Sequence, residues 1–83
     1  MMIIDIYGKD DCPYCTKALR LAQGIMEDTA EQHNHTINYY KLDRDFTREE
    51  LFEKFPTART FPQIMVDNTI IGGYDQFNSY IKG

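Results

Sequence analysis

The chain lacks the long apolar segments and the basic excess that mark membrane and nucleic-acid proteins. No stretch approaches the roughly 18 consecutive apolar residues that cross a bilayer. Its 13 Asp and Glu residues outnumber its 9 Lys and Arg residues, which gives a formal net charge of −4. A nucleic-acid partner would favour a basic face. We therefore expect no membrane partner and no nucleic-acid partner.

The sequence also shows no pattern of a secretory signal and too few cysteines for a disulfide framework. Residues 1–6 include no basic residue, and Asp5 interrupts their short apolar run, so no secretory signal is expected. The chain has only two cysteines, Cys12 and Cys15, at i and i+3. In a reducing cytoplasm, which is the expected location, such a pair indicates redox or metal chemistry rather than a structural disulfide.

What the chain does contain is enough apolar residues for one core. At 83 residues, of which 42% are hydrophobic, it fits one globular domain, which we predict over residues 1–83. Ile-rich residues 2–7 predict a strand that is buried on both faces. Pro13 suits the first position of a helix. The apolar face of that helix repeats at three- and four-residue spacing and comprises Ala18, Leu19, Ala22, Ile25 and Met26.

The middle of the chain predicts a second strand and a second helix. The polar run 27–36 contains the end of the first helix and a loop, and residues 37–42 predict a strand. Thr47 and Glu50 have the spacing of a capping box. The helix that they open ends near Pro56, because proline disfavours helical backbone at the residue before it. Its inward-facing residues are predicted to be Leu51, Phe52 and Phe55.

The last part of the chain predicts a β-hairpin and a short helix. Residues 63–66 and 69–71 are short β-forming runs, and only a tight turn at Asp67-Asn68 fits between them. Gly72-Gly73 ends the second run. Residues 75–82 then predict a helix whose core-facing residues are Phe77, Tyr80 and Ile81.

The resulting order of elements is β-α-β-α-β-β-α. The first β-α-β unit requires parallel strands joined by a right-handed crossover, whereas the hairpin adds antiparallel strands. We therefore predict an α/β fold, in which a four-stranded mixed sheet is flanked by three helices.

Cys12 and Cys15 lie one helical turn apart at the start of the first helix, a separation that suits a disulfide. Cys12 precedes the helix, where unpaired N–H groups and the positive end of the helix dipole favour a thiolate, and Lys9 adds a cation. We expect the pKa of the Cys12 thiol to lie well below that of a free cysteine. Cys15, inside the first turn, should be more covered. Thiol–disulfide exchange needs this division between an attacking and a resolving sulfur.

Two other interpretations of the cysteine pair stay open at the level of the residues. The cysteines could be ordinary buried side chains. They could also join His33 and His35 in a Cys₂His₂ zinc site, although the single residue between the two histidines departs from the usual spacing of three to five.

Three motifs in order resemble the dithiol glutaredoxins, in particular the short bacterial and phage type. They are Lys9-x-x-Cys12-Pro13-Tyr14-Cys15, Thr60-Phe61-Pro62 and Gly72-Gly73-Tyr74-Asp75, and the likeness extends over nearly the whole chain. It implies a thioredoxin-like fold, with Cys12 as the nucleophile and Cys15 as the resolving thiol. Thioredoxins themselves are less similar, since this chain has no tryptophan and carries Pro-Tyr where they have Gly-Pro.

The same resemblance implies glutathione as the reducing co-substrate, with no tightly bound cofactor and no metal. Pro62 would be cis and face the cysteine turn, which leaves the Phe61 backbone free to pair with the cysteinyl backbone of glutathione. Two cations would attract its glycyl carboxylate, N–H groups at a helix N-terminus would bind its γ-glutamyl carboxylate, and Tyr14 would flank the tripeptide. The implied glutathione contacts are Lys9, Tyr14, Arg59, Thr60, Phe61, Pro62, Gly73, Tyr74 and Asp75.

Two positions depart from the pattern of the family, and both concern glutathione. Phe61 stands where many relatives have valine, which narrows or reshapes the groove. Gln76 stands where many relatives have an acidic residue that is expected to meet the α-ammonium of glutathione, and its amide offers only a neutral acceptor.

The resemblance implies a monomeric enzyme that reduces protein disulfides and glutathione mixed disulfides, with ribonucleotide reductase among its partners. Two alternatives remain beside it. One is a carrier of zinc, or of an iron–sulfur cluster that two copies share through Cys12 and glutathione. The other is a glutaredoxin-like protein that takes its electrons from thioredoxin reductase.

Overall fold

The computed structural model describes residues 2–28 and 35–82, and its elements follow the predicted order. The side chain of Met26 and residues 29–34 of the predicted loop lie outside this described part. Within it, no helix has the length and apolar character of a membrane span. The elements are β1 (Ile3–Gly8), α1 (Pro13–Asp28), β2 (Thr36–Lys41), α2 (Arg48–Lys54), β3 (Gln63–Val66), β4 (Thr69–Gly72) and α3 (Tyr74–Lys82).

β1 is an interior strand of the sheet and leads directly into the cysteine loop. The strand order is β2-β1-β3-β4. β1 pairs in parallel with β2, with Ile3 opposite Thr36, and antiparallel with β3. β3 and β4 form the predicted hairpin, and its turn residues Asp67 and Asn68 have positive φ angles of 50° and 66°. Two consecutive positive φ angles are typical of the tight turn that hairpins favour.

A hydrophobic cluster lies on each face of the sheet, and β1 is therefore buried on both faces, as predicted. Ile4 and Ile6 are fully buried on the face covered by α1 and α3. Tyr7 alternates to the opposite face, which α2 covers. The first cluster comprises Ile4, Ile6, Ala18, Ala22, Ile64, Val66 and Phe77, and the second comprises Tyr7, Phe46, Leu51 and Phe55.

α2 has the predicted capping box but buries a narrower face than predicted. Leu51 and Phe55 are buried, whereas Phe52 is 47% exposed, so the predicted inward orientation of Phe52 is wrong. Residues four apart share one side of a helix, while consecutive residues differ in direction by about 100°. One stripe through Leu51 and Phe55 therefore covers this face of the sheet, and Phe52 points away from it.

α3 also buries a narrower face than predicted. Phe77 is fully buried and Ile81 packs against the same cluster, yet Tyr80 is 50% exposed, so the prediction that Tyr80 faces the core is wrong. The helix begins at Tyr74, and the N–H of Phe77 donates to the Gly73 carbonyl oxygen at 3.0 Å. Gly73 is therefore the N-cap residue of α3.

Candidate active site

The cysteine loop joins the end of β1 to the start of α1. Cys12 and Cys15 form a disulfide with their Cα atoms 5.2 Å apart. The Cys15 N–H donates to the Cys12 carbonyl oxygen at 3.1 Å and also lies 3.2 Å from the Cys12 sulfur. The Cys12 sulfur is thus held beside a first-turn N–H of α1, the kind of group that stabilises a thiolate.

The two sulfur-bearing residues differ in burial in the predicted sense. Cys15 has 1% of its surface exposed, whereas Cys12 is half-buried. A substrate sulfur can therefore reach Cys12 from solvent, while Cys15 is accessible chiefly to a sulfur already bonded to Cys12. The predicted cover over Cys15 is confirmed.

The segment before β3 lies against the cysteine loop. The bond between Phe61 and Pro62 is cis, as the resemblance implies. The Phe61 carbonyl oxygen lies 3.9 Å from the Cys12 sulfur. That sulfur has a hydrogen to donate only as a thiol, so in the disulfide the two atoms are in simple contact. Residues 60–62 therefore form one wall of the redox centre.

A groove of about 330 Å³ opens beside this wall. Its sides come from α1, from residues 60–62 and from the N-terminus of α3, and the Tyr14 and Tyr74 ring centroids lie 5.9 Å apart. Most of the predicted glutathione contacts meet here from separate parts of the chain. We call it the Tyr14 groove, and its lining residues are Tyr14, Thr60, Phe61, Pro62, Gly73, Tyr74, Asp75 and Gln76.

The two predicted cations, Lys9 and Arg59, lie outside the lining of the Tyr14 groove. Lys9 shares a different concavity with Cys12, and its Nζ lies 5.5 Å from the centroid of the Phe61 ring. Arg59 lines a neighbouring concavity of about 370 Å³. Arg48 is a residue that the sequence does not signal, and its Cζ lies 6.0 Å from the same Phe61 ring. The Phe61 ring thus makes cation–π contacts with Lys9 and Arg48 next to the cysteine loop.

The carboxylate beside Lys9 has a partner of its own. Asp10 forms an ion pair with Lys41, whose Nζ lies 3.0 Å from the Asp10 Oδ1. Within residues 2–28 and 35–82, neither Lys9 nor Arg48 forms an ion pair. Lys9 and Arg48 thus place two positive charges at the Phe61 ring, beside the redox site of a molecule whose net charge is −4.

Gln76 occupies part of the helix end that the ligand is expected to use. Its Oε1 accepts a hydrogen bond from the Gly73 N–H at 3.0 Å. The Gly73 N–H is therefore already donated, which leaves the N–H groups of Tyr74 and Asp75 among those that the resemblance assigns to the γ-glutamyl carboxylate. In the sequence Gln76 stands out only as a departure from the family pattern, and that pattern does not predict its hydrogen bond with Gly73.

Gly8 and Tyr39 form the floor beneath the cysteine loop. A Cβ at Gly8 would clash with the Tyr39 hydroxyl and would lie 2.8 Å from Tyr39 Cζ and 3.2 Å from Cys15 Cβ. Burial, followed by the charge of Asp10, raises the pKa of Tyr39 above its ordinary value. A neutral phenol therefore fills the space next to the resolving cysteine.

His35 lies at the wrong end of the sheet for a metal site with the cysteines. β1 and β2 run parallel with Thr36 opposite Ile3, so His35 is near the start of β1, whereas Cys12 follows its end. A six-residue strand spans roughly 17–20 Å, far more than the ~2 Å between a zinc ion and its ligands. The Cys₂His₂ interpretation is therefore wrong for His35, and His33 lies outside the described residues.

Known proteins that are similar to this chain are glutaredoxins. The glutaredoxin family model matches residues 4–71. The chain is 34% identical over 79 residues to glutaredoxin 1 of Escherichia coli, which covers 93% of this chain and 89% of that protein. It is 29% identical over 82 residues to a glutaredoxin of Haemophilus influenzae, which covers 98% of this chain and 92% of that protein.

Solved structures agree in fold. The structure of reduced Escherichia coli glutaredoxin matches with a TM-score of 0.81 at 33% identity, over 96% of this chain and 93% of that chain. The oxidised form matches with a TM-score of 0.79 at 32% identity over the same shares. The four-stranded mixed sheet with three helices is therefore a thioredoxin-like fold, and that prediction is confirmed.

Proposed function

The chain belongs to the glutaredoxin family and is a thiol–disulfide oxidoreductase, and we propose that glutathione is its reductant. The observation that carries the proposal is the Tyr14 groove, which adjoins the Cys12 sulfur through Phe61. The groove offers a cysteinyl tripeptide the Phe61 backbone before the cis bond, an aromatic side at Tyr14 and helix N-terminal amides at the start of α3.

The first step is the attack of the Cys12 thiolate on a disulfide. The Cys12 sulfur forms a bond to one substrate sulfur, and the other substrate sulfur leaves as a thiolate that takes a proton from solvent. The Cys15 N–H beside the Cys12 sulfur, the positive end of α1 and the nearby cation Lys9 favour the attacking thiolate.

The second step releases the mixed disulfide by one of two routes. In the dithiol route, the Cys15 sulfur attacks Cys12, expels the substrate thiolate and leaves the Cys12–Cys15 disulfide, which two glutathione molecules reduce while forming glutathione disulfide. In the monothiol route, a second glutathione thiolate attacks the glutathione sulfur bonded to Cys12. This returns the Cys12 thiolate and forms glutathione disulfide. Neither route requires a metal or a tightly bound cofactor.

The charge distribution supports an anionic co-substrate. The net charge of −4 repels glutathione at long range, so binding needs local cations. We assign the attraction of the glycyl carboxylate to Lys9 and Arg59, and Arg48 adds to the same potential through its position beside Phe61.

The same thiol chemistry serves protein substrates. We propose that protein disulfides and protein–glutathione mixed disulfides are the acceptors, with ribonucleotide reductase among them. The proposal includes a monomeric enzyme that acts in the cytoplasm as one domain over residues 1–83.

Turnover of a glutathione mixed disulfide, coupled to glutathione reductase and NADPH, tests this function. The parent protein should turn the mixed disulfide over. The Cys12→Ser variant should fall to the uncatalysed rate, because a serine hydroxyl is not ionised at neutral pH and cannot replace the attacking thiolate. Cys15→Ser should keep the reduction of the glutathione mixed disulfide but lose the reduction of a protein disulfide, because only the dithiol route needs Cys15.

Two results would contradict the proposal. A Cys12→Ser protein as active as the parent would exclude Cys12 as the nucleophile. In a parallel assay, thioredoxin reductase with NADPH replaces glutathione and glutathione reductase. Activity in that assay alone would mean that the thiol chemistry is right and the reductant is wrong.

A further inference from the structure

We propose that Gln76 is a specificity-determining residue, which weakens glutathione binding by competing with the γ-glutamyl carboxylate for the Gly73 N–H. The inference rests on the proposed function, because it concerns the same groove. It adds that the γ-glutamyl carboxylate contributes less to glutathione binding than it would if the Gly73 N–H were free.

The competing contact is the hydrogen bond from the Gly73 N–H to the Gln76 Oε1, which we call the Gln76 cap. α2 contains the complete form of the same arrangement. There Glu50 accepts from the Thr47 N–H at 2.8 Å, and the Thr47 hydroxyl accepts from the Glu50 N–H at 3.2 Å. α3 has only the half that Gln76 supplies, because its N-cap residue is a glycine without a side chain.

The incomplete cap divides the amides at the start of α3 into two groups. The Gly73 N–H is bonded to Gln76, whereas the N–H groups of Tyr74, Asp75 and Gln76 have no hydrogen-bond acceptor within the described part of the chain. A carboxylate gains most at a helix N-terminus when several N–H groups converge on it. A ligand that needs the Gly73 N–H must displace Gln76, and otherwise it binds with one hydrogen bond fewer.

The Gln76 side chain lies against Gly72 and Gly73, although the residue is exposed to solvent. It lines both the Tyr14 groove and the neighbouring concavity that holds Arg59. A Cβ at Gly72, whose φ is +122°, would lie 3.2 Å from the Cβ and Cγ of Gln76, and a Cβ at Gly73 would lie 3.3 Å from its Oε1. The side chain therefore folds over two glycines and forms a wall where the carboxylate is expected.

The γ-glutamyl group also carries an ammonium, and the Gln76 cap does not serve it. The Gln76 oxygen is engaged with Gly73, and the amide has no net charge. Asp75 supplies the acidic side chain of the first turn of α3. Gln76 thus withholds a donor from the carboxylate without offering a charge to the ammonium.

Two variants separate this competition from other roles of Gln76. Gln76→Ala removes the cap, and Gln76→Asn keeps an amide on a side chain too short to reach Gly73. Both should lower the KM for glutathione by about threefold to tenfold, the factor that one net hydrogen bond represents, with kcat unchanged. The KM for cysteinylglycine, which lacks the γ-glutamyl group, should not change. Gln23→Ala, an exposed glutamine on α1, is the matched control and should alter neither value.

Binding of S-methylglutathione, which cannot react, gives the affinity without turnover. In NMR titrations of the reduced proteins, both Gln76 variants should bind it about threefold to tenfold more tightly than the parent. Without ligand, the Gly73 amide hydrogen should exchange faster in the variants, because it has lost its acceptor.

The outcomes distinguish the inference from the function on which it rests. Variants that bind S-methylglutathione no more tightly than the parent would mean that Gln76 does not compete. A KM for cysteinylglycine that falls as much as that for glutathione would indicate a general opening of the groove, and would also overturn the inference. If neither the parent nor the variants bind S-methylglutathione or turn over with glutathione, the proposed function itself is wrong.

Discussion

Gly8 ends β1 directly beneath the redox disulfide, where the Tyr39 ring leaves no room for a side chain. Gly8→Ala should lower the free energy of unfolding by about 1–3 kcal/mol, because its new methyl group overlaps Tyr39 and crowds Cys15. Urea unfolding of the oxidised protein measures this loss. Gly24→Ala is the matched control. Apart from its chain neighbours and the backbone of its own helix, no heavy atom lies within 4 Å of the new methyl group, so this change should stabilise α1 by about 0.5–1 kcal/mol.

A double variant identifies Tyr39 as the cause. Tyr39→Ala should destabilise the protein by itself, but Gly8→Ala in that background should cost much less than in the parent, since the clashing ring is gone. Additive losses would mean that the space beneath the cysteines is not set by Tyr39.

At the scale of elements, α2 and α3 begin with caps of unequal completeness. Thr47→Ala removes the hydroxyl that accepts from the Glu50 N–H and should lower the free energy of unfolding by about 1 kcal/mol. Thr57→Ala removes an exposed threonine hydroxyl outside the helices, so its effect should stay within about 0.5 kcal/mol. Equal losses in the two variants, measured by urea unfolding, would contradict the role of the capping box.

At the scale of the whole molecule, one of the two clusters contains a titratable group. Burial, followed by the charges of Tyr40 and Asp5, raises the pKa of Tyr7 above its ordinary value. Below about pH 10, the ordinary tyrosine pKa, the folded and unfolded chains both keep this proton, and the stabilisation is fully present. Above it the unfolded chain ionises first, so stability falls as the pH rises through the folded-state pKa.

Tyr7→Phe should therefore flatten the alkaline loss of stability. The phenylalanine keeps the ring contacts with Tyr40 and Phe55, whose centroids lie 4.8 and 5.4 Å away, and removes the ionisation. Urea unfolding between roughly pH 9 and pH 11 should show a shallower decline than in the parent. Phe77→Leu, in the other cluster, should lower stability about equally at every pH. A Tyr7→Phe curve parallel to that of the parent would refute the assignment.

The parts of the fold that could be predicted are those that neighbouring residues encode. Pro13 at a helix start, the capping pair Thr47 and Glu50, and the Asp67-Asn68 turn each depend on contacts within about four residues. Burial within the helices was predicted less well. Phe52 and Tyr80 are apolar enough for a core, but each short helix buries one stripe against the sheet, and its direction depends on how the helix docks.

The sequence by itself determined the order of elements, the position of the redox pair at the start of α1 and the unequal burial of its two cysteines, because chain-local rules govern all three. The tertiary structure alone decided the surroundings of the pair. Strand register separates His35 from Cys12, and the docking of α2 brings Arg48 to Phe61. The start of α3 at Tyr74 makes Gly73 its N-cap and gives its N–H to Gln76. Such contacts join segments that are distant in sequence or depend on where a helix begins, and no short pattern encodes either.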